Sequence, residues 1–258
     1  MMKLFLSAVA FCCAVTNCFS QKTDTVLIDP TKVNTKVLKP GVHRWLVYFK
    51  TGKDSSRTNF NLWTRNLDFI TYKGREAIAV TQEWEDNTSI THKVYSVCDR
   101  KTFAPLYQDS WWKNRGNTVF DFIEKTGSIR DTLLTDADTA RGKKNMYAAF
   151  KQALNQYVLN WHLDLETFPL LPYKENTTFL INFYEAGSQP PAQQAYTVTG
   201  SGTLTGLNNE PIDCWLLTHT SPNNKEVFWI SKKSKEVLKL EQQFGSRFRY
   251  KVKLGFAS

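Results

Sequence analysis

The sequence predicts an all-β fold: two similar antiparallel β units forming a curved sheet or half-barrel, with one connecting α-helix. Three observations predict it. Short runs rich in aromatic and β-branched residues recur along the chain, separated by polar turn clusters. The pattern of the first half returns in the second at an offset of 134 residues. One stretch between the halves has a helical period instead of an alternating one.

Taken in order, residues 21–40 are polar except for Val26-Leu27-Ile28, which predicts an extended arm able to add an edge strand. Trp45-Leu46-Val47-Tyr48-Phe49 opens the strand-like series. Further strands are predicted over residues 59–63, 67–72, 77–83, 90–98 and 118–123. Turn signals such as Thr51-Gly52-Lys53-Asp54, Lys73-Gly74 and Asp86-Asn87 separate them. Over residues 143–160, Met146, Ala149, Phe150, Ala153, Leu154 and Tyr157 follow i, i+3, i+4 spacing and predict one helix whose apolar stripe covers a sheet face. Phe168-Pro169-Leu170-Leu171-Pro172 then ends the helix and leads into the second half. The final strand, residues 248–256, alternates between an apolar and a strongly basic face, which predicts a solvated basic side. The same alternation would suit an outer-membrane barrel, but the central helix argues against one.

The offset is read without gaps. Trp45-Leu46-Val47-Tyr48-Phe49 falls on Phe179-Leu180-Ile181-Asn182-Phe183, Glu76 on Glu210, Ile78 on Ile212 and Leu106 on Leu240. The expected organisation is a signal peptide at 1–20, an N-terminal arm at 21–43, a first β unit at 44–123, a helix-containing connector at 124–177 and a second β unit at 178–258.

Lys3, the apolar run at residues 4–15 and the small residues Cys18 and Ser20 have the layout of a cleaved secretory signal. Cys18 also closes a loose lipobox, so lipidation there and cleavage after Ser20 are both open. No later stretch is apolar enough for a transmembrane span in the mature chain. The chain is thus expected to be exported, to the periplasm or outer-membrane periphery of a bacterium, where nucleic acid is not an expected partner. Its net charge of +9 is scattered, as on an ordinary soluble surface. Of five cysteines only Cys98 and Cys214 lie beyond the signal, and a disulfide or two buried free thiols are both compatible with an oxidising compartment.

Chemistry-bearing motifs are sparse. No nucleophile elbow, phosphate loop, zinc spacing or other cofactor signature is present. His162, Asp164 and Glu166 are the sharpest polar cluster: in an extended segment they share one face, with Leu163 and Leu165 on the other. That face suits a divalent metal or acid–base chemistry, or an ordinary surface strand or helix exit with its leucines buried. Glu83, Glu85 and Asp86 around Trp84 fit a hairpin end better than a carboxylate pair for sugar hydrolysis. His43, His92 and His219 stand isolated. Eight tryptophans are the most unusual feature, and large rings either fill a core or line an apolar pocket.

Val97-Cys98-Asp99-Arg100-Lys101-Thr102-Phe103-Ala104-Pro105-Leu106, Leu170-Leu171-Pro172 and Phe228-Trp229-Ile230-Ser231-Lys232-Lys233 resemble elements of an exported bacterial family catalogued as domain of unknown function 3108. The resemblance spans residues 44–256 and implies curved antiparallel sheets and an envelope location. It implies no catalytic residue.

These readings converge on an uncharacterised envelope protein that binds an apolar or amphipathic small molecule, or an envelope protein partner, without catalysis. Trp45, Tyr48, Trp63, Tyr95, Trp215 and Trp229 are the expected ligand-binding residues, with no metal and no cofactor. A carboxylate-dependent hydrolase and a structural or assembly factor of the envelope are the alternatives.

Overall fold

The computed structural model describes residues 24–255. The signal segment and Cys18 lie outside the described residues. Strand β1 (Asp24–Leu27) is the arm's edge strand. The first meander comprises β2 (Gly41–Thr51), β3 (Thr58–Tyr72), β4 (Arg75–Glu85), β5 (Ile90–Asp99), β6 (Pro105–Trp112) and β7 (Gly116–Asp121). Two short strands, β8 (Thr126–Ile129) and β9 (Thr132–Leu133), extend it. Helix α1 (Arg141–Leu154) follows, then β10 (Leu159–Asn160) and the single turn α2 (Asp164–Thr167). The second meander is β11 (Thr177–Tyr184), β12 (Ala192–Thr205), β13 (Pro211–Ser221), β14 (Asn224–Ser231), β15 (Val237–Phe244) and β16 (Arg247–Lys253).

All of these strands belong to one open sheet in the order β1-β11-β12-β13-β14-β15-β16-β2-β3-β4-β5-β6-β7-β8-β9, with β10 also on β11. Every pairing within the meanders is antiparallel, as hairpin connections require. The last strand joins the halves: β16 lies against β2, with Lys253 opposite Trp45 and Lys251 opposite Val47. Each strand from β2 to β7, moved along by 134 residues, overlaps its counterpart from β11 to β16. No helix among the described residues is long and apolar enough to cross a membrane.

The core forces the sheet to curl. Strands β12 and β6 stand nine steps apart in the order, about 40 Å if the sheet were flat. Yet the short segment 159–171 touches both. Phe168 packs its ring 4.8 Å from Tyr196 on β12, while Asn160 donates to Gln108 Oε1 on β6 at 2.6 Å. That segment is a plug held inside the curved sheet. Leu163, Leu165, Phe168, Leu170 and Leu171 are buried in the main apolar cluster with Trp45, Ile78, Phe179, Val198 and Phe228. It is not the plain exit from a helix that the two prolines suggest. Helix α1 stops at Leu154, short of the expected Asn160, and its stripe of Ala149, Phe150 and Ala153 packs on a satellite cluster with Phe120 and Tyr184.

One expectation is corrected by this architecture, and one open alternative is settled. The basic side of the last strand is not solvated: Lys251 and Lys253 are 3% and 7% exposed and point into the interior. Cys98 and Cys214 are both free and both buried, in separate clusters on opposite faces of the sheet, so no disulfide joins them.

The outer face has its own packing constraint at Gly202, opposite Cys214 on β13. A methyl group there would stand 2.6 Å from the Trp229 ring. Gly202→Ala is therefore expected to lower stability by about 1–3 kcal/mol through overpacking. Urea unfolding checks this, and an unchanged midpoint would show that the indole moves aside without cost.

Candidate functional site

The site begins with strand register. On the inner face, cross-strand partners form one row: Lys253, Trp45, Trp63, Trp84, His92 and Trp112, contributed in turn by β16, β2, β3, β4, β5 and β6. Opposed residues stand close enough for their rings to meet. Trp63 and Trp84 stack at 3.9 Å between centroids, and His92 stacks on Trp112 at 3.7 Å. Trp84 meets both His92 and Trp112 edge-on, at 4.5 and 5.5 Å.

The plug supplies the opposite wall. The Asn160 side chain accepts from His162 N–H at 3.0 Å, which starts a 3-10 turn over Trp161–Leu163 that runs directly into α2. His162, Asp164 and Glu166 are therefore not on an extended surface strand. They sit in consecutive helical turns and are 7%, 9% and 5% exposed. Their neighbours are polar groups from the sheet. Gln82 Nε2 donates to the His162 carbonyl at 2.9 Å. Arg65, 1% exposed, donates through Nη2 to Asp164 Oδ1 at 3.2 Å and through Nη1 to Glu166 Oε2. Lys251 Nζ donates to Asp164 Oδ2 at 2.8 Å. A row of neighbours on the second half's strands, Glu226, Gln242 and Arg249, completes the ionic side.

Between the two walls lies a pocket of about 170 Å³. Trp63, Trp84, Trp112, Trp161, Tyr196 and Phe228 give it aromatic surface, and Arg65, Asp164, Glu185, Glu226, Arg249, Lys251 and His162 give it polar surface. Trp161 and Glu185 also line a shallower groove with Gln189 and Pro190, which marks the side open to solvent. Trp84 Nε1, Glu226 Oε2 and the Nε atoms of Arg65 and Arg249 are buried without a hydrogen-bond partner among the described residues.

Burial and neighbouring charge set the protonation states. Burial pushes His162 down to about 3 and His92 down to about 4, so both rings are neutral at pH 7. Burial lowers Lys251 to about 8 against the attraction of Asp164. Asp164 is also pushed upward by burial, but Lys251 and Arg65 together hold it below the ordinary aspartate value. Burial raises Glu166, Glu226 and Glu185. Asp164 and Glu166 are thus committed to structural ion pairs, and no group of three or more His, Cys, Asp or Glu side chains among the described residues is arranged for a metal.

Of the six aromatic residues expected to bind a ligand, the structure places only Trp63 on this pocket. Trp45 stands beside it in the row, over a smaller cavity of about 40 Å³ shared with His43, Glu166, Glu236 and Lys253. Trp215 packs on the core edge against Tyr173, under Lys232 Nζ at 4.2 Å from its ring. Tyr48, Tyr95 and Trp229 lie on the outer face: Tyr48 stacks on Tyr250 at 5.0 Å, Tyr95 is 36% exposed, and Trp229 belongs to the outer cluster with Cys214. Trp84, Trp112, Trp161, Arg65, Arg249, Lys251 and Glu226 are among the lining residues that sequence reasoning did not single out as ligand-binding. The carboxylates around Trp84 do form a hairpin end, where Asp86 Oδ1 accepts from Thr88 and Ser89 N–H, both at 2.8 Å. His92 is not isolated, since its ring lies 5.3 Å from that of His162.

Comparison with known proteins adds a family and a distant likeness. The sequence model of a family described as "Protein of unknown function (DUF3108)" matches residues 44–253. No curated protein matches the chain. Among solved structures, a β-barrel-like protein of domain of unknown function DUF1849 from Brucella abortus is similar at 6% identity and a TM-score of 0.40, covering 84% of this chain and 98% of that one.

Proposed function

The chain belongs to the DUF3108 family, and we propose that it is a non-catalytic binding protein whose interior pocket takes a small amphipathic ligand. One observation carries the reading: a pocket inside the curved sheet has indoles on one wall and fixed, buried ionic groups on the other. Pockets that hold small molecules are mostly apolar, with a few convergent polar groups that orient the ligand. Four tryptophans supply area at little entropic cost, because each is already packed by a neighbouring ring or strand. Hydrolysis is less well supported. Asp164 is held by both Arg65 and Lys251 and Glu166 by Arg65, ion pairs that disfavour the cycling of a proton on either carboxylate.

The signal-like start of the sequence supports export, to the periplasm or the outer-membrane periphery of a bacterium, where apolar molecules need an escort through water. Cell fractionation with an antibody to the chain tests the location, and recovery in the cytosol would exclude it.

Native mass spectrometry of the protein from its own envelope, followed by solvent extraction, tests the ligand. A reproducible bound mass is expected. Trp84→Ala should weaken its retention about ten-fold, the effect of one buried aromatic contact. A clean ligand-free mass, combined with no uptake of any amphiphile offered in solution, would remove the binding reading.

A further inference from the structure

We propose that the ligand is an amphipathic anion, an apolar body with a carboxylate head, and that Arg249 is the group that receives the head. The inference rests on the pocket being a ligand site.

Cationic ligands are disfavoured because the protein's own cations already stand over two of the four pocket indoles. Lys251 Nζ stands 4.5 Å from the Trp63 ring centroid, and Arg115 Cζ stands 5.7 Å from that of Trp112. An ammonium head would compete with these groups and be repelled by them. Among the lining cations, Arg65 and Lys251 are neutralised at close range by Asp164 and Glu166. Arg249 is not. Its nearest acid, Glu226 Oε1, is 4.0 Å away from Nη2, and that oxygen already accepts from Gln242 Nε2 at 2.8 Å. The Arg249 Nε is buried with no partner among the described residues.

A guanidinium with unused donors beside an aromatic wall is matched to a planar carboxylate, which accepts from two N–H groups at once. Glu226 does not fill that role, because its Oε1 stands 4.0 Å from Arg249 Nη2 and accepts instead from Gln242 at 2.8 Å. The indoles of Trp84, Trp112 and Trp161 then flank the apolar body towards the open side at Glu185.

The test is a titration of tryptophan fluorescence in the full-length mature protein with three probes of one chain length: decanoate, decanol and decylamine. Decanoate is expected to bind about ten-fold more tightly than decanol, the increment of a charge-assisted hydrogen bond, with decylamine weakest. Arg249→Gln should bring decanoate to the level of decanol and leave decanol unchanged, which also shows that the variant's pocket is intact. If decanol or decylamine binds as tightly as decanoate to the wild type, the anion assignment is overturned while the ligand site stands. If none of the three binds, the anion assignment falls, and the native mass of the protein decides whether the ligand site falls with it.

Discussion

Replacing Arg65 by methionine is expected to lower the unfolding free energy by about 3–5 kcal/mol, the usual effect of stranding a buried charge. At about 2–4 °C per kcal/mol for a domain of this size, the melting temperature should fall by roughly 10 °C. The reason is the position of the guanidinium. It is 1% exposed, bridges β3 to the plug, and is in contact with both Asp164 and Glu166. Asp164 keeps Lys251 when Arg65 is lost, whereas Glu166, 5% exposed, has no second ion-pair partner among the described residues. The double variant Arg65→Met, Glu166→Gln should therefore recover more than half of the lost stability, since a neutral amide is far cheaper to bury than a carboxylate. Lys174→Met, on the exposed pair with Asp24, serves as the surface control and should shift nothing measurable. Urea unfolding of the four proteins decides it. An Arg65→Met protein as stable as the wild type would mean that the plug is not held by its charges.

The same residue shows what the sequence can and cannot reveal. Strand positions were legible because hydrophobic alternation and turn chemistry are local. Trp45 to Phe49 is a strand, Val26 to Leu27 adds an edge, and the stripe at Ala149, Phe150 and Ala153 is helical. Which face of a strand turns inward was not legible, because aromatic residues crowd both sides of this sheet. Tyr48 and Trp229 look as eligible for a pocket as Trp63, yet they pack outside. Charge misled for a similar reason. A Lys-Arg alternation ordinarily marks a solvated face, but Lys251 and Lys253 face acids contributed by the plug and by β14–β15. Asp164 lies 87 residues from Lys251 and reaches it only through the curl, whereas Glu236 meets Lys253 across the β15–β16 hairpin. One signal was within reach. The tight turn at Asp86 fixes the register of β4 on β5, which sets Trp84 against His92 and would have suggested an aromatic row.

Acid should weaken the fold well before its carboxylates titrate. His162 and His92, 7% and 0% exposed, are held neutral by burial down to about 3 and about 4. In the unfolded chain both take up a proton near pH 6.5. Between pH 6.5 and about 4 the unfolded state thus binds more protons than the folded state, and stability falls as pH falls. The full stability is present above 6.5. Each histidine then removes about 1.4 kcal/mol per pH unit, so the pair removes about 4 kcal/mol by pH 5. His43, lowered by burial and by Lys253, acts in the same direction. Glu166, Glu185 and Glu226, raised by burial, act in the opposite one, since they gain protons in the folded state first and so offset part of the loss. Asp164, held low by Lys251 and Arg65 despite its burial, contributes stability that is lost only below the ordinary aspartate range. Urea midpoints at pH 7, 6 and 5 measure the slope. His162→Gln and His92→Gln should each remove close to half of it. Variants that keep the full slope would show that these rings are protonated inside the fold, and the neutral aromatic wall assigned to the pocket would have to be redrawn.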